Sequence, residues 1–587
     1  MKKLTSLFFM SLLAAGMVSC SSEDDLIADN NLVDSKDAVY MQFDLQLPTA
    51  NGSRSATDTN TPGGSGNDQT NSDIDKNNKP DYEVGSDGEN IISSVRLILA
   101  DEKGKIIAIS QEGATANGTN DKKNYVVKFQ SKDLLGAALE NSEKPIRAYV
   151  FCNPTEEIKN FTSKTALTID DLMISLSGDN SSIWSSSKFL MSNANNVDWV
   201  CSLGSKAQLA SCNTEDKAWE LNKPTNPIKV ERAAARFDFA HTTTTLKPDQ
   251  YALNDVNGKP QVVMTFTNMA LLNLSKNFYA MRRVSDDGTN AKWTLAGAEI
   301  NKNFVVDTDW QQKLTYQGKG LQNNFLYPVE GNSLLTVNPT WQSIAALGTQ
   351  DNWGADKEYY VWRYATENTI PATDASKADY SNQKNGNSTG IVFEAKITAA
   401  DGCNADVKAA LSSNQPIFVY NNKLYGTWAN VYKRAYGKEY GQAQTIEPDA
   451  NLQIVYDLVK ETYNQTASAK ATDDPASFTD QKLLVKAARE SKQFNAVYKA
   501  NATGDYTAYY YYWNRHNDNK DPKIMGPMEF SVVRNNVYKL KVTAVNQFGL
   551  PKDVPFEPNK PNETDEVFFK VSLKVLDWVV RENNIEF

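Results

Sequence analysis

Residues 38–48 read Ala-Val-Tyr-Met-Gln-Phe-Asp-Leu-Gln-Leu-Pro, and their alternation decides the fold. Val39, Met41, Phe43, Leu45 and Leu47 fall on one side of an extended chain, and Tyr40, Gln42, Asp44 and Gln46 on the other. Successive side chains of a strand point to opposite faces, so the spacing predicts a half-buried strand. Runs of the same kind recur at 95–99, 125–129, 147–151, 262–266, 391–397, 537–545 and 567–575. Polar turns separate them and no helices alternate with them, which predicts a mainly β chain of antiparallel sandwiches, not a parallel α/β sheet. Helical spacing is confined to a few segments, 452–463 and 481–494 among them, in the C-terminal part. The Pro-containing stretch 221–227 reads as a linker, dividing an N-terminal domain over 91–226 from a C-terminal domain over 227–587.

Upstream of the first strand, residues 1–19 have the form of an export leader. Lys2 and Lys3 precede an apolar run over 7–15, and Gly16, Met17, Val18 and Ser19 lead into Cys20. That run is too short to span a bilayer. Small residues directly before a cysteine form a lipobox, which makes Cys20 the expected diacylation site, with Met17 standing where Leu is usual. Ser21, Ser22, Glu23, Asp24 and Asp25 follow as a solvated tether, similar to the surface-export signal of Bacteroidota lipoproteins. No second apolar run of membrane-spanning length occurs, so attachment is expected through lipid.

Past the first strand, 49–90 turns to Gly, Ser, Asn, Asp and Thr, a composition that cannot offset the entropy of ordering and predicts a flexible loop. Asp73, Asp75, Asn77 and Asp81 mimic a calcium loop, but Asn78 stands where the turn needs Gly and Val84 where a bidentate Glu belongs. Arg54, the first arginine of the chain, sits at the head of this loop in Asn-Gly-Ser-Arg-Ser-Ala. An exposed loop with a lone arginine is an accessible cut site for an Arg-specific protease. Lys76 and Lys79 offer further trypsin-type sites in the same loop.

Composition excludes several functions. The net charge of -10 and pI near 5.1 oppose nucleic-acid binding, which needs a basic footprint. Cys152, Cys201, Cys212 and Cys403 show no CxxC spacing; Cys201 and Cys212 are near enough to bridge a hairpin, and buried free thiols fit equally. His241 and His516 are the two histidines, in no metal or triad pattern. No phosphate loop, zincin or nucleophile-elbow motif is present, and no carboxylate pair stands out. No cofactor is expected. The run Tyr509, Tyr510, Tyr511, Tyr512 and Trp513 would suit a glycan platform; as a strand it splits between two faces and serves as a cross-strand ladder.

Five places resemble the fimbrillins, the subunits of type V pili of Bacteroidales, in particular the short-fimbria branch. They are the lipobox with its acidic start; the strand followed by Ser53-Arg54-Ser55; and Ile-Lys-Val-Glu-Arg-Ala-Ala-Ala-Arg over 228–236. The others are Tyr-Ala-Thr-Glu-Asn-Thr over 364–369 with Thr-Gly-Ile-Val-Phe over 389–393; and Tyr-Tyr-Trp-Asn-Arg-His over 511–516 with Met-Glu-Phe-Ser-Val-Val-Arg-Asn-Asn-Val-Tyr over 528–538. The resemblance implies two transthyretin-like sandwiches and a maturation step in which an Arg-specific protease removes the lipidated leader with the first strand. Carried onto this chain, residues 20–54 become a propeptide and the scissile bond is Arg54 to Ser55. Loss of Val39, Met41, Phe43, Leu45 and Leu47 would open an apolar groove, at about 2 kcal/mol for each large side chain.

A second subunit can refill such a groove by strand addition. The C-terminus is the candidate donor: 567–575 alternates, and Trp578, Val579, Val580, Ile585 and Phe587 continue to the chain end. Completion of the chain's own sandwich is the competing role for part of that segment. The expected function is a stalk subunit of a fimbrium, a homopolymer joined by anchor and tip proteins at the cell outer membrane. An anchor must keep its lipid and a tip needs no donor strand. The alternatives are an anchor or tip subunit, a monomeric carbohydrate-binding surface lipoprotein, and an enzyme of glycosidase type.

Overall fold

The computed structural model describes residues 37–47, 82–161, 172–221, 227–431 and 494–579, with short breaks in all but the first span. Cys20, Arg54, Ser55, Val580, Ile585 and Phe587, the calcium-like spacing and the helical segment 452–463 lie outside the described residues. So does 481–493, while Phe494 opens a strand, Phe494–Tyr498, not the end of a helix.

The alternating segment forms β1, Ala38–Gln46. β2 (Tyr82–Val84), β3 (Val95–Ala100), β4 (Ile106–Ile109), β5 (Thr115–Gly118), β6 (Lys122–Gln130) and β7 (Lys144–Cys152) follow. One ten-stranded sheet runs β4, β3, β7, Met191–Asn193, Ile228–Arg232, β1, β6, β5, with Val200–Leu203 beside β7 and Trp219–Glu220 beside β1. The strand Ile228–Arg232 serves two neighbours. Ile228 and Lys229 pair with Leu45 and Gln46, whereas Val230, Glu231 and Arg232 pair with Asn193, Ser192 and Met191. The ladder turns a corner there, and both halves close on one core of β1, β3, β6 and β7 side chains with Ile228 and Val230.

The outer face of β3 and β7 is covered as well. Ile98, Tyr149 and Phe151 pack with Ile174, and with Phe278 and Met281 of the second domain. Burial on both faces explains why Val-Arg-Leu-Ile-Leu-Ala in β3 is nearly continuous in apolar residues instead of alternating.

The second sandwich stacks two sheets. One runs β2, Phe569–Val579, Asn536–Val545, Ala235–Ala240, Tyr359–Ala365; the other runs Gln250–Leu253, Val262–Leu272, Gly390–Ala399, Tyr506–Trp513. Phe237, Phe239, Met264, Phe266, Phe393, Tyr510, Tyr538 and Leu540 fill the space between. The aromatic run divides as its spacing predicts: Tyr510 and Tyr512 face this core, and Tyr509, Tyr511 and Trp513 join a separate cluster with Phe556. Among the described residues helices are short, the longest being Ala405–Ser412.

Three features differ from the sequence expectations. Among the described residues, pairing is antiparallel except in four strand pairs: β1 runs parallel to Trp219–Glu220 and to Ile228–Arg232, Ala235–Ala240 parallel to Asn536–Val545, and β2 parallel to the C-terminal strand. In addition, residues 82–90, expected as the end of a flexible loop, form β2 and a short 3-10 turn, Asp87–Asn90. Residues 228–232, expected to open the second domain, pair within the first sheet.

Candidate functional site

β1 is an interior strand. From Ala38↔Gln130 to Gln46↔Lys122 it pairs antiparallel with β6 along its whole length. On its other edge Tyr40 N donates to Cys212 O (2.8 Å), Leu221 N donates to Gln42 O (2.9 Å), and Leu45 and Gln46 meet Ile228 and Lys229. Val39, Met41, Phe43, Leu45 and Leu47 are each at most 2% exposed. Phe43 stacks on Tyr125 with ring centroids 6.3 Å apart. Burial of five such side chains is worth on the order of 10 kcal/mol. Extracting β1 would leave an apolar slot flanked by two unpaired strand edges.

The C-terminal strand, Phe569–Val579, completes the chain's own second sandwich. It pairs with Asn536–Val545 from Phe569↔Val545 to Asp577↔Asn536, and Leu573 is buried in the core. At its far end Asp577, Trp578 and Val579 pair with Tyr82, Glu83 and Val84 of β2. Trp578, expected in a donor strand, thus lies within the described sheet, while its companions Val580, Ile585 and Phe587 fall beyond the described residues.

A buried polar centre draws largely on the sequence motifs. Arg534 forks onto Glu367, with Nε to Oε2 and Nη2 to Oε1 both at 3.1 Å, and Nη2 also donates to Tyr279 O at 2.7 Å. Arg236 holds Asp238 through Nε (2.9 Å) and Nη2 (2.8 Å), and its Nη1 reaches Glu89 Oε2 at 3.0 Å. Those two carboxylates, with Glu83, raise the Arg236 pKa above the usual arginine range against the opposing cost of burial. Lys539 Nζ lies 2.6 Å from Glu83 Oε2. Burial raises the Glu83 carboxyl despite Lys539 and Arg236 beside it. Tyr364 donates to Glu89 Oε1 (2.6 Å), and Arg232 Nε donates to Glu89 O (3.1 Å). Arg232, Arg236, Arg534 and Lys539 are wholly buried.

The local sequence explains the geometry. Asn535 takes the left-handed conformation, φ 57°, which Asn tolerates, and its N–H donates to Ala234 O at 2.8 Å. Gly390 faces Trp513 in register, and a Cβ there would sit 2.5 Å from the indole ring. Glycine at 390 and tryptophan at 513 are therefore two halves of one contact. Glu83 and Glu89 were not anticipated as functional residues, yet Ser86-Asp-Gly-Glu89 has the capping-box spacing. Ser86 N donates to Glu89 Oε2 (2.7 Å) and Glu89 N to Ser86 Oγ (3.3 Å).

The histidines and cysteines lie apart from this centre. Among the described residues no cluster of His, Cys, Asp and Glu could hold a metal. His516 is buried, its Nδ1 2.9 Å from Tyr538 Oη, and burial holds its pKa down at about 4. His241 pairs with Asp249 far along the chain from it. Cys152, Cys201, Cys212 and Cys403 are free thiols, and burial pushes Cys201 up to about 12. Among the described residues, β1 and the C-terminal strand present backbone ladders and, in β1, side chains seated in an apolar core.

Residues 505–584 match the family described as "Major fimbrial subunit protein type IV, Fimbrillin, C-terminal". That stretch holds the aromatic strand, the Arg534 turn and the C-terminal strand. Among solved structures, a fimbrilin from Porphyromonas gingivalis is 12% identical, covering 93% of this chain and 99% of its own, with a TM-score of 0.35. The tip fimbrial protein Mfa3 from the same organism, C-terminally truncated, is 9% identical, covering 92% and 100%, with a TM-score of 0.31. No curated protein matches.

Proposed function

We propose that this chain, whose last domain carries a fimbrillin C-terminal region, is a stalk subunit of a type V fimbrium. It is exported as a lipoprotein on Cys20, held at the outer membrane, cut between Arg54 and Ser55 by an Arg-specific protease, and polymerised by donor-strand exchange. Its partners are further copies of itself with anchor and tip proteins, and its role in adhesion is structural, without catalysis or cofactor. The observation that carries this is the place of β1: an interior, fully paired strand at the N-terminal end, upstream of the cut site, whose five core side chains nothing else replaces. A strand so placed can be removed only if another takes its slot, because the vacated edges and pockets cannot face water cheaply. The aromatic run lends no support to a glycan platform, since Tyr510 is buried and Tyr509 donates to Glu394 Oε1 at 2.7 Å.

The test is controlled digestion of the full-length precursor with an Arg-specific protease. The expected result is a new N-terminus at Ser55, loss of the leader with β1, and ladders of subunits on size-exclusion chromatography and in micrographs. A product that keeps β1 bound and stays monomeric at high concentration overturns the proposal. Arg54→Ala is expected to block both cleavage and assembly while the precursor remains folded.

A further inference from the structure

The C-terminal strand is clamped at the end from which a donor would have to leave. Its long edge lies against Asn536–Val545, but its last three residues are covered on the other edge by β2, Tyr82↔Asp577, Glu83↔Trp578 and Val84↔Val579. A three-residue strand has little stability of its own. β2 is held by charge: Glu83, 1% exposed, pairs with Lys539 of Asn536–Val545, the strand beyond the C-terminal one, and with Arg236 of Ala235–Ala240 after that. Residues 86–90 extend the hold through Glu89, which meets Arg236 and Tyr364, and through Glu89 O, which accepts from Arg232.

Arg232 ends the strand whose first residues, Ile228 and Lys229, pair with β1. A single five-residue strand thus touches β1 at one end and the 82–90 segment at the other. Because 82–90 lies downstream of Arg54, it stays with the subunit after the cut while β1 does not.

We propose that residues 82–90 are an autoinhibitory latch: with β1 in place they keep the C-terminal strand in its own sheet, and loss of β1 frees them and with them the strand. This rests on the donor-strand function above and adds its regulation. While β2 covers Asp577–Val579, that edge of the strand end is occupied and cannot pair with a second copy of the chain. Loss of β1 removes the partners of Ile228 and Lys229, loosening the strand that carries Arg232 and so the backbone contact at Glu89.

Two measurements test the latch. In hydrogen–deuterium exchange on the full-length chain, before and after cleavage at a dilution that prevents assembly, amides of 82–84 and 569–579 are expected to exchange together about tenfold faster after the cut, with 536–545 unchanged. Unchanged protection of 569–579, or opening of 569–579 with 82–84 still protected, overturns the latch. The double variant Tyr82→Cys with Asp577→Cys, oxidised to a disulfide across the register pair, is expected to be cleaved normally, to stay monomeric, and to assemble on reduction. Assembly at the same rate when oxidised overturns the latch too. The donor reading is separately exposed: if a chain lacking 577–587 still forms normal filaments, that reading fails, whereas filaments that need 577–587 but form unhindered in the oxidised variant refute the latch alone.

Discussion

Leu45 and Ile228 lie side by side as parallel strand neighbours, one near the start of the chain and the other at the far end of the N-terminal sandwich. The contact joins β1, the strand that precedes the proposed cut at Arg54, to a ten-stranded sheet. If the proposed cleavage and strand exchange hold, stability of the precursor and competence for assembly are set by the same side chains.

Phe43→Ala should destabilise the precursor by about 3–5 kcal/mol, as expected for a buried aromatic removed from a core. Phe43 is wholly buried against Tyr125. Chemical denaturation of precursor and cleaved subunit checks it: the substitution should shift the precursor midpoint and have no effect once residues up to Arg54 are gone.

Glu367→Gln should cost about 3–5 kcal/mol, because it strands the buried Arg534 charge that Glu367 grips at both nitrogens. The pair Arg534→Met with Glu367→Leu should recover most of that loss, since two apolar side chains leave no unpaired charge. Thermal melts of the two variants separate the outcomes; equal destabilisation by both would show that the fork itself, not the stranded charge, sets the cost.

Gly390→Ala should place a Cβ against the Trp513 ring, 2.5 Å from it, and cost about 1–3 kcal/mol of overpacking. Adding Trp513→Leu should return part of it. A melting temperature for Gly390→Ala equal to that of the parent would mean the ring moves aside freely.

Stability should fall as pH rises from 5 to 9. Burial pushes the Glu231 carboxyl up to about 7 and Glu529 up to about 8 from an ordinary 4.5. Both groups bind their protons more tightly folded than unfolded, so their contribution is complete below 4.5 and is lost as pH climbs through 7 and 8. For Glu231 the difference amounts to roughly 3 kcal/mol. His516, held down at about 4 by burial, acts oppositely, with stability lost as pH drops from 6.5 toward 4. Melting temperatures of the parent and Glu231→Gln across this range are the measurement; the variant should lose much of the alkaline slope.

Val580→Asn or Ile585→Asn should leave the subunit folded and cleaved but weaken joining by about 1–3 kcal/mol per site, as for an anchor lost from an interface. Heat-stable ladders on gels report it, and ladders of parental length would remove these residues from the donor.

The β character and most strands were legible because period-two alternation survives wherever one face is solvated, as in β1 and in 506–513. Where it failed, tertiary contact had replaced solvent. β3 is apolar on both faces because Phe278 and Met281 of the second domain cover it, which no local pattern reports. Residues 82–90 look like loop because their hold is a pair of glutamates; Glu83 and Glu89 are read as solvated until Arg236 and Lys539, far along the chain, are placed against them. The motif stretches were visible as motifs, but their convergence on one buried centre depends on long-range pairings such as Arg236↔Val537.

All the partners of β1, from 122–130 to 228–229, are made after it. It therefore precedes in the chain every strand it pairs with, and long loops must close before that pairing is rewarded. During that interval the slot is open to any strand of suitable pattern, including another copy's. Covalent attachment gives β1 a local concentration in about the millimolar range, which no dilute competitor matches. The proposed cut in the tether would turn this into a bimolecular contest, in which β1 loses the advantage of its attachment.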